Sequence, residues 1–152
     1  MEEIIIRKAM PEDLPVLLLA EQELINAERP FDPTLVPGEF YYYDLEEMIE
    51  SEDAEVLIAT WDGLFAGCGH ASIRPGKPYN NFDRQAFLGF MYVVPEHRGK
   101  DIIQRIIGEL KKWTEKKGLD EIRLQVYADN IAAIKAYEKV GFEKLLIDMR
   151  LK

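Results

Sequence analysis

The sequence predicts an α/β protein with a mixed central sheet and helices on both faces. The hydrophobic pattern alternates along the chain between a period of two, typical of strands, and a period of about 3.6, typical of helices. Residues 85–127 read as strand, turn, helix and strand, which is the order of a right-handed crossover between parallel strands. The 152 residues, 47% of them hydrophobic, are enough for one buried core and too few for two ordinary domains. We therefore expect a single domain over residues 1–152.

The first part of the chain predicts one strand and two helices. The sequence EIIIR near the N-terminus is a short strand. Pro11 suits the first turn of a helix, and the apolar residues after it fall on one helical face: Leu14, Leu17, Leu18, Leu24 and Ile25. The segment ERPFDPTLVPGEF then interrupts the chain with three prolines and a glycine. A second short helix follows, with Leu45, Met48 and Ile49 on its apolar side.

The middle of the chain predicts three strands. The sequence EVLIATWDGLFAGCGHASIR contains two of them, joined at Asp62 and Gly63 by a two-residue turn that strongly favours a hairpin. A polar loop from Arg74 to Arg84 separates this hairpin from QAFLGFMYVV, a buried strand that runs into Pro95.

The last part predicts a helix, a strand, a helix and a strand. The first of these helices ends at Gly118 and has an apolar face made of Ile102, Ile103, Ile106, Ile107, Leu110 and Trp113. The sequence EIRLQVY alternates as a strand, a helix runs from about Asn130 to Val140, and LLIDMRLK is predicted to close the sheet. The complete order is strand, two helices, three strands, helix, strand, helix and strand.

Composition and charge exclude several classes of protein. A net charge of −9 and a pI near 4.8 argue against nucleic-acid binding and suit cationic small molecules or basic peptides, although acidity alone could serve solubility. The single cysteine, Cys68, excludes an intrachain disulfide framework. No apolar run approaches the roughly 20 residues that span a bilayer, and the N-terminus does not resemble a secretory signal. We expect a cytoplasmic protein without a membrane segment or a metal site.

The stretch HRGKDIIQRI, residues 97–106, carries the strongest chemical signal. The free N–H groups at a helix N-terminus bind anions, and this helix begins directly after a crossover strand. Arg98 and Lys100 would add positive charge, and Gly99 would let a phosphate approach the backbone. Alone, the stretch could equally be a basic surface turn with Asp101 as an ordinary N-cap.

Two motifs together indicate a family. The sequence VVPEHRGK, followed at a helix's distance by ADNIAAIKAYEKVGFEK, resembles the GNAT superfamily of acyl-CoA-dependent N-acyltransferases. Its patterns are V-x-P-x-x-R-G-x-G-x-G/A and N-x-x-A-x-x-x-Y-x-x-x-G-F. The second is matched at every position, by Asn130, Ala133, Tyr137, Gly141 and Phe142. The resemblance implies an N-acetyltransferase that moves an acetyl group from acetyl-CoA directly to a small amine, an amino acid or a peptide.

The resemblance also implies the roles of individual residues. Backbone groups of Met91, Tyr92 and Val93 would bind the pantetheine arm, and the turn amides would bind the pyrophosphate, namely those of Arg98, Gly99, Lys100, Asp101, Ile102 and Ile103. The side chain of Asn130 would contact the cofactor arm, or could simply cap its helix. The hydroxyl of Tyr137 would lie near the thioester sulfur and protonate the departing thiolate, or the ring could be one more core aromatic.

Two residues depart from the family pattern. Asp101 and Ile103 stand where the family has glycine or alanine. Because a carboxylate repels phosphate, we expect a weakened CoA site in which Asp101 turns outward toward Lys100 or Arg105 when the cofactor is bound, while Ile103 turns into the core. The alternative is a degenerate GNAT domain that has lost acyl transfer and serves as a ligand-binding or interaction module.

The general base and the acceptor are less well defined. The strand before the turn reads Leu88, Gly89 and Phe90, without the glutamate that many relatives carry, so the candidate bases are Glu21, Asp44, His70 and Asp83. Cys68 could be a covalent nucleophile, but we expect a buried, inert thiol. His70 is expected to be a satisfied strand histidine and His97 a structural residue.

Two segments should wall the acceptor site, RPFDPTLVPGEFYYYD and RPGKPYNNFDR. Tyr41 to Tyr43, with Asp32, Glu39 and Asp44, would suit a cationic or aromatic-bearing amine. The same tyrosines could instead pack on the core or form the contact of a homodimer.

Overall fold

A computed structural model describes residues 3–152 of the chain. Within these residues five strands form one sheet and lie in it in chain order. Their bounds are β1 (Ile4–Lys8), β2 (Ala54–Trp61), β3 (Leu64–Pro75), β4 (Arg84–Val93) and β5 (Ile122–Leu124). The pairs β1/β2, β2/β3 and β3/β4 are antiparallel, and the pair β4/β5 is parallel. The mixed sheet confirms the predicted fold class.

The helices lie on both faces of this sheet, as the hydrophobic periodicity predicts. Their bounds are α1 (Leu14–Glu28), α2 (Leu45–Glu50), α3 (Ile102–Lys116) and α4 (Ile131–Lys139). Short 3-10 turns at Pro11–Asp13, Arg29–Phe31 and Pro95–His97 each start at or next to a proline, which fixes the backbone angle that the turn needs. Within residues 3–152, no helix combines the length and the apolar character that crossing a bilayer requires.

The two faces have separate cores. One packs α1 and α2 against the sheet, with Leu17 and Ile25 fully buried in α1. The other packs α3 against the sheet through Ile102, Ile106 and Leu110, all of which are buried. The apolar stripes read from the sequence are therefore the contact faces of their helices.

The C-terminal strand predicted at LLIDMRLK is absent, which corrects the expected order. Residues 143–152 form no regular element and make no backbone hydrogen bond to any residue from 3 to 152. Their large apolar side chains are more than two-thirds exposed: Leu145, Leu146, Ile147, Met149 and Leu151. Alternation of apolar residues is compatible with a strand, but a strand persists only when its backbone pairs with a neighbour. Strand β5 is also shorter than EIRLQVY predicts.

Strand β4 is positioned to open a gap in the sheet. It pairs with β5 only from Ala86 to Leu88, and beyond that point the two parallel strands separate. On its other side β4 stays paired with β3, but the register shifts between Cys68 and His70. Phe90 has a φ of 58° at this shift, so β4 carries a bulge where the gap begins.

Candidate active site

The gap beside β4 exposes backbone groups that no strand uses. The N–H of Val94 donates to the carbonyl of Ala66 in β3 at 2.9 Å. Since backbone groups in a strand alternate in direction, Met91 and Val93 direct theirs away from β3 and into the gap. The Nε of Arg98 donates to the carbonyl of Val93 at 2.9 Å, while the N–H of Val93 has no strand partner among residues 3–152. An extended chain with amide groups can bind here as an additional strand.

The turn between β4 and α3 has the geometry of an anion site. Gly99 has a φ of 81°, a conformation that favours glycine, and a Cβ added there would meet no atom within 4 Å. The backbone around Gly99 is therefore open to solvent. Because α3 begins at Ile102, its first N–H groups lie at this turn without helical acceptors. A phosphate could reach them without displacing a side chain.

Asp101 does not block the N-terminus of α3. Its φ of 62° is left-handed, which aspartate tolerates better than most residues, and its side chain makes no capping hydrogen bond to the helix. The carboxylate instead lies 3.5 Å from Nζ of Lys139 at the end of α4. The expected rotation toward Lys100 or Arg105 concerns the CoA-bound protein and stays a prediction, and the cation paired with Asp101 here is Lys139. Asp101 is an N-cap by position only.

Lys100 and Arg105 are engaged elsewhere, which explains why neither pairs with Asp101. Nζ of Lys100 lies 4.4 Å from the ring centroid of Trp61. The same nitrogen is 3.3 Å from Nδ1 of His97, whose ring stacks on Trp61 at 4.5 Å. Arg105 donates to the carbonyl of Ile4 at 3.3 Å. The contacts of His97 are those of a structural residue.

Ile103 turns its side chain into the core between α3 and the sheet, as predicted. The bulk that replaces the family's small residue is therefore directed away from the turn. At this position, as at Asp101, the backbone of the turn stays accessible although the side chain is not small.

Asn130 caps α4. Its Oδ1 accepts a hydrogen bond from the N–H of Ala133 at 3.3 Å. Its Nδ2 makes no hydrogen bond within residues 3–152, so the amide can still donate to a ligand while it caps the helix. Capping and cofactor contact are compatible in this geometry.

Tyr137 lies on α4 and is partly buried. Its ring packs against the core beside Phe142, with ring centroids 6.1 Å apart. Burial, and then the negative charge of Glu28, raise the pKa of Tyr137 to about 12. The phenol therefore keeps its proton at neutral pH and can act as a hydrogen-bond or proton donor to a developing anion.

Tyr43 connects the acceptor side to the bulge. Its hydroxyl accepts a hydrogen bond from the N–H of Phe90 at 3.2 Å. Burial raises the pKa of Tyr43 to about 12, so this hydroxyl is also protonated at neutral pH. The residue further lines an open groove of about 400 Å³ between α1 and α2 with Leu14, Leu18, Tyr41, Asp44, Leu45 and Glu46.

The four candidate bases from the sequence are not equally placed. Glu21 is fully buried, and its Oε2 accepts from the N–H groups of Tyr42 and Tyr43 at 2.7 and 3.0 Å, so it organises that backbone. Asp44 caps α2 by accepting from the N–H of Glu47 at 3.2 Å. Asp83 precedes β4 at the end of the strand that lies away from the bulge.

His70 and Cys68 are both buried in the core. His70 is 1% exposed, and burial lowers its pKa to about 4, so the ring is neutral at physiological pH. The expectation that it would be satisfied is wrong, because neither ring nitrogen has a hydrogen-bond partner within residues 3–152. Cys68 is fully buried and burial raises the pKa of its thiol, which agrees with an inert role.

Glu28 and Tyr127 are site residues that the sequence reasoning missed. Glu28 is the last residue of α1, half-buried, and its charge acts on Tyr137 as well as Tyr43. Tyr127 follows β5, and its hydroxyl donates to Oδ2 of Asp32 at 3.3 Å. Neither residue belongs to a motif, and only the tertiary contact between the end of α1 and the end of β5 brings them together.

Comparison with known proteins identifies the family. The model of the acetyltransferase (GNAT) family matches residues 21–142. An acetyltransferase of Sodalis glossinidius is 36% identical over 112 residues, 71% of this chain and 73% of that protein. An aminoglycoside N(6')-acetyltransferase type 1 of Salmonella typhimurium is 27% identical over 110 residues, 71% of this chain and 75% of that protein. The chain belongs to the GNAT family and is an acyl-CoA N-acyltransferase with acetyl-CoA as its donor.

Solved structures agree with this fold. A predicted acetyltransferase from Clostridium acetobutylicum, crystallised with acetyl-CoA, superposes with a TM-score of 0.73 at 18% identity. The match covers 99% of this chain and 96% of the other. The likeness extends to the whole architecture of sheet and helices.

Proposed function

We propose that this protein transfers an acetyl group from acetyl-CoA directly to the amine of a cationic acceptor, without a covalent enzyme intermediate. The observation that carries this proposal is the gap beside β4. The proposal assigns three groups to this cleft: the N–H of Val93, which has no partner in β5, the open turn at Gly99 and the protonated phenol of Tyr137. Direct transfer is favoured because the thiol of Cys68 is fully buried and its pKa is raised.

Each part of the cleft has a task in this reaction. The pantetheine arm would pair with the exposed backbone of Met91 and Val93, and the pyrophosphate would bind the turn from Arg98 to Ile103. The N–H of Val93 would polarise the thioester carbonyl. The Tyr137 hydroxyl would give its proton to the departing thiolate.

The acceptor side favours a polyamine-like molecule. Asp32, Glu39 and the aromatic residues before α2 present negative charge and ring faces, the two features that bind ammonium groups. The net charge of −9 would attract a cation over a longer range. The similarity to an aminoglycoside acetyltransferase points in the same direction, because aminoglycosides carry several amines. We propose that the reaction takes place in the cytoplasm.

An acceptor screen tests this proposal. The purified protein is incubated with acetyl-CoA and, separately, with polyamines, aminoglycosides, amino acids and basic peptides, while the release of CoA thiol is followed. Mass spectrometry then identifies the product. We expect acetylation of acceptors that carry two or more amines. A protein that hydrolyses acetyl-CoA at the same rate with and without every amine would contradict the proposal.

A further inference from the structure

We propose that Glu28 is the carboxylate that receives the amino group of the acceptor and takes its proton during acetyl transfer. This inference rests on the proposed function, because it assigns a residue to that same reaction. Glu28 ends α1 at the point where the chain enters the turn Arg29–Phe31. Phe31 of this turn and Asp32 after it contact Tyr127, which follows β5, so the end of α1 lies at the side of the gap that β5 forms.

Tyrosines from three segments of the chain surround Glu28. Tyr42 and Tyr43 precede α2, Tyr127 follows β5 and Tyr137 lies on α4. Burial and, after it, the charge of Glu28 raise the pKa of Tyr42, Tyr43 and Tyr137, and the same charge contributes at Tyr127. Tyr43 binds the bulge in β4, and the proposed function assigns Tyr137 to the thioester.

Within residues 3–152, no basic side chain forms an ion pair with Glu28. The neighbouring Arg29 donates to the carbonyl of Val36 in the loop that follows at 2.8 Å, and to Oδ1 of Asn26 in α1 at 3.2 Å. None of the ion pairs found within residues 3–152 includes Glu28. Burial raises the pKa of this carboxyl. A half-buried carboxylate among aromatic rings, without a cation of its own, is the chemical complement of an ammonium group.

A second carboxylate, that of Asp32, directly follows the turn Arg29–Phe31. Asp32 accepts a hydrogen bond from Tyr127, and the ring of Phe31 stacks on Tyr127 with centroids 5.9 Å apart. Hydrogen bonds from Thr34 are the main cause that lowers the pKa of Asp32, and the charge of Arg150 makes a smaller contribution. The titratable and charged groups around Glu28 within residues 3–152 are thus the four tyrosines and the adjacent Arg29, with Glu21, Asp32 and Arg150 beyond them. This arrangement suits an acceptor that carries a second ammonium group.

The proposed step conserves atoms and protons. The bound ammonium group first loses one proton to solvent. The neutral amine then attacks the thioester carbon and forms the N–C bond, which leaves a positively charged nitrogen in the adduct. That nitrogen gives its proton to Glu28, the C–S bond breaks, and the thiolate takes a proton from Tyr137. The proton on Glu28 then returns to Tyr137 through solvent. The products are the acetylated amine and CoA thiol.

The test compares Glu28→Gln with Glu23→Gln, a matched change at an exposed carboxylate of the same helix. We expect Glu28→Gln to lower kcat/KM for the acceptor by roughly 10²- to 10⁴-fold, the usual range for loss of a positioned base. Glu28 should give the wild-type pH–rate profile an acidic limb above the ordinary carboxyl range, because burial raises the pKa of this residue. The Glu28→Gln variant should lack this limb. CoA affinity without acceptor should not change, and Glu23→Gln should behave as wild type.

The outcomes separate this inference from the proposed function. A wild-type protein that acetylates an amine, together with a Glu28→Gln variant that keeps its turnover and its acidic limb, would overturn the assignment of Glu28 alone. A wild-type protein that acetylates no amine would overturn both. Glu28→Asp keeps the charge and should recover part of the lost rate. If the aspartate variant unfolds at the wild-type temperature yet is no more active than the glutamine variant, a carboxylate is not what the site requires.

Discussion

Tyr137 is the residue whose chemistry is most sharply defined. Its ring fills a place in the core, so Tyr137→Phe should leave folding and CoA affinity nearly unchanged. Turnover should fall by roughly ten- to a thousandfold, because the thiolate loses its proton donor. Steady-state rates, thermal unfolding and CoA titration on the same preparation separate these effects. A phenylalanine variant with full turnover would remove Tyr137 from the mechanism and leave solvent to protonate the thiolate.

The negative charge of Asp101 should lower the affinity for CoA. The carboxylate points to Lys139, yet its charge stays close to where a pyrophosphate would bind. Asp101→Gly removes the charge and also fits the left-handed backbone, so CoA should bind several-fold more tightly. Asp101→Asn removes the charge alone and should reproduce most of this gain, as judged by calorimetric titration. Weaker binding in both variants would mean that the pair with Lys139 organises the turn.

The same residues show how far sequence reasoning reaches. The outward rotation of Asp101 follows from charge repulsion, and the inward rotation of Ile103 follows from the helical period. The partner of Asp101 is 38 residues away on another helix, and no local rule selects it over Lys100. Glu28 was missed for the same reason, because its surroundings come from segments that meet only in the folded chain.

At the scale of elements, the close approach of β3 and β4 fixes the edge that faces CoA. A Cβ on Gly67 would lie 2.6 Å from the carbonyl oxygen of Tyr92. Gly67→Ala should therefore lower the free energy of unfolding by roughly 1–3 kcal/mol, the usual cost of overpacking. Gly108→Ala is the matched control, because its Cβ would meet no atom and alanine favours a helix by about 1 kcal/mol. Urea unfolding that ranks the two variants in the reverse order would contradict this packing.

The predicted helices and strands are present where their apolar face packs against another element, and the one predicted strand without a neighbouring strand is absent. The apolar stripe of α3 and the hairpin turn at Asp62 and Gly63 appear as expected, because each meets its own face or strand nearby in the sequence. LLIDMRLK has an equally regular pattern, but no strand lies beside it. Periodicity describes what a segment can bury, and the rest of the fold decides whether it is buried.

At the scale of the whole molecule, the exposed apolar side chains of residues 143–152 suggest that another chain covers this segment. Five large apolar side chains stand exposed within residues 143–152, and β5 leaves one edge unpaired within the described part of the chain. We propose a homodimer that covers this segment, and expect the full chain to sediment as a dimer and a chain ending at Lys144 as a monomer. Sedimentation velocity on both forms checks this. A full-length monomer across the concentration range would exclude the proposal.

Calorimetric titration of the wild-type protein with CoA tests the central claim, that the turn before α3 remains an open anion site beside the edge of β4. We predict saturable binding heat with a stoichiometry of one CoA per chain. The affinity should weaken as salt increases, because phosphate groups are bound by charge and by helix N–H groups. An absence of binding heat at millimolar CoA would contradict the account and indicate a domain of this family that has lost its cofactor.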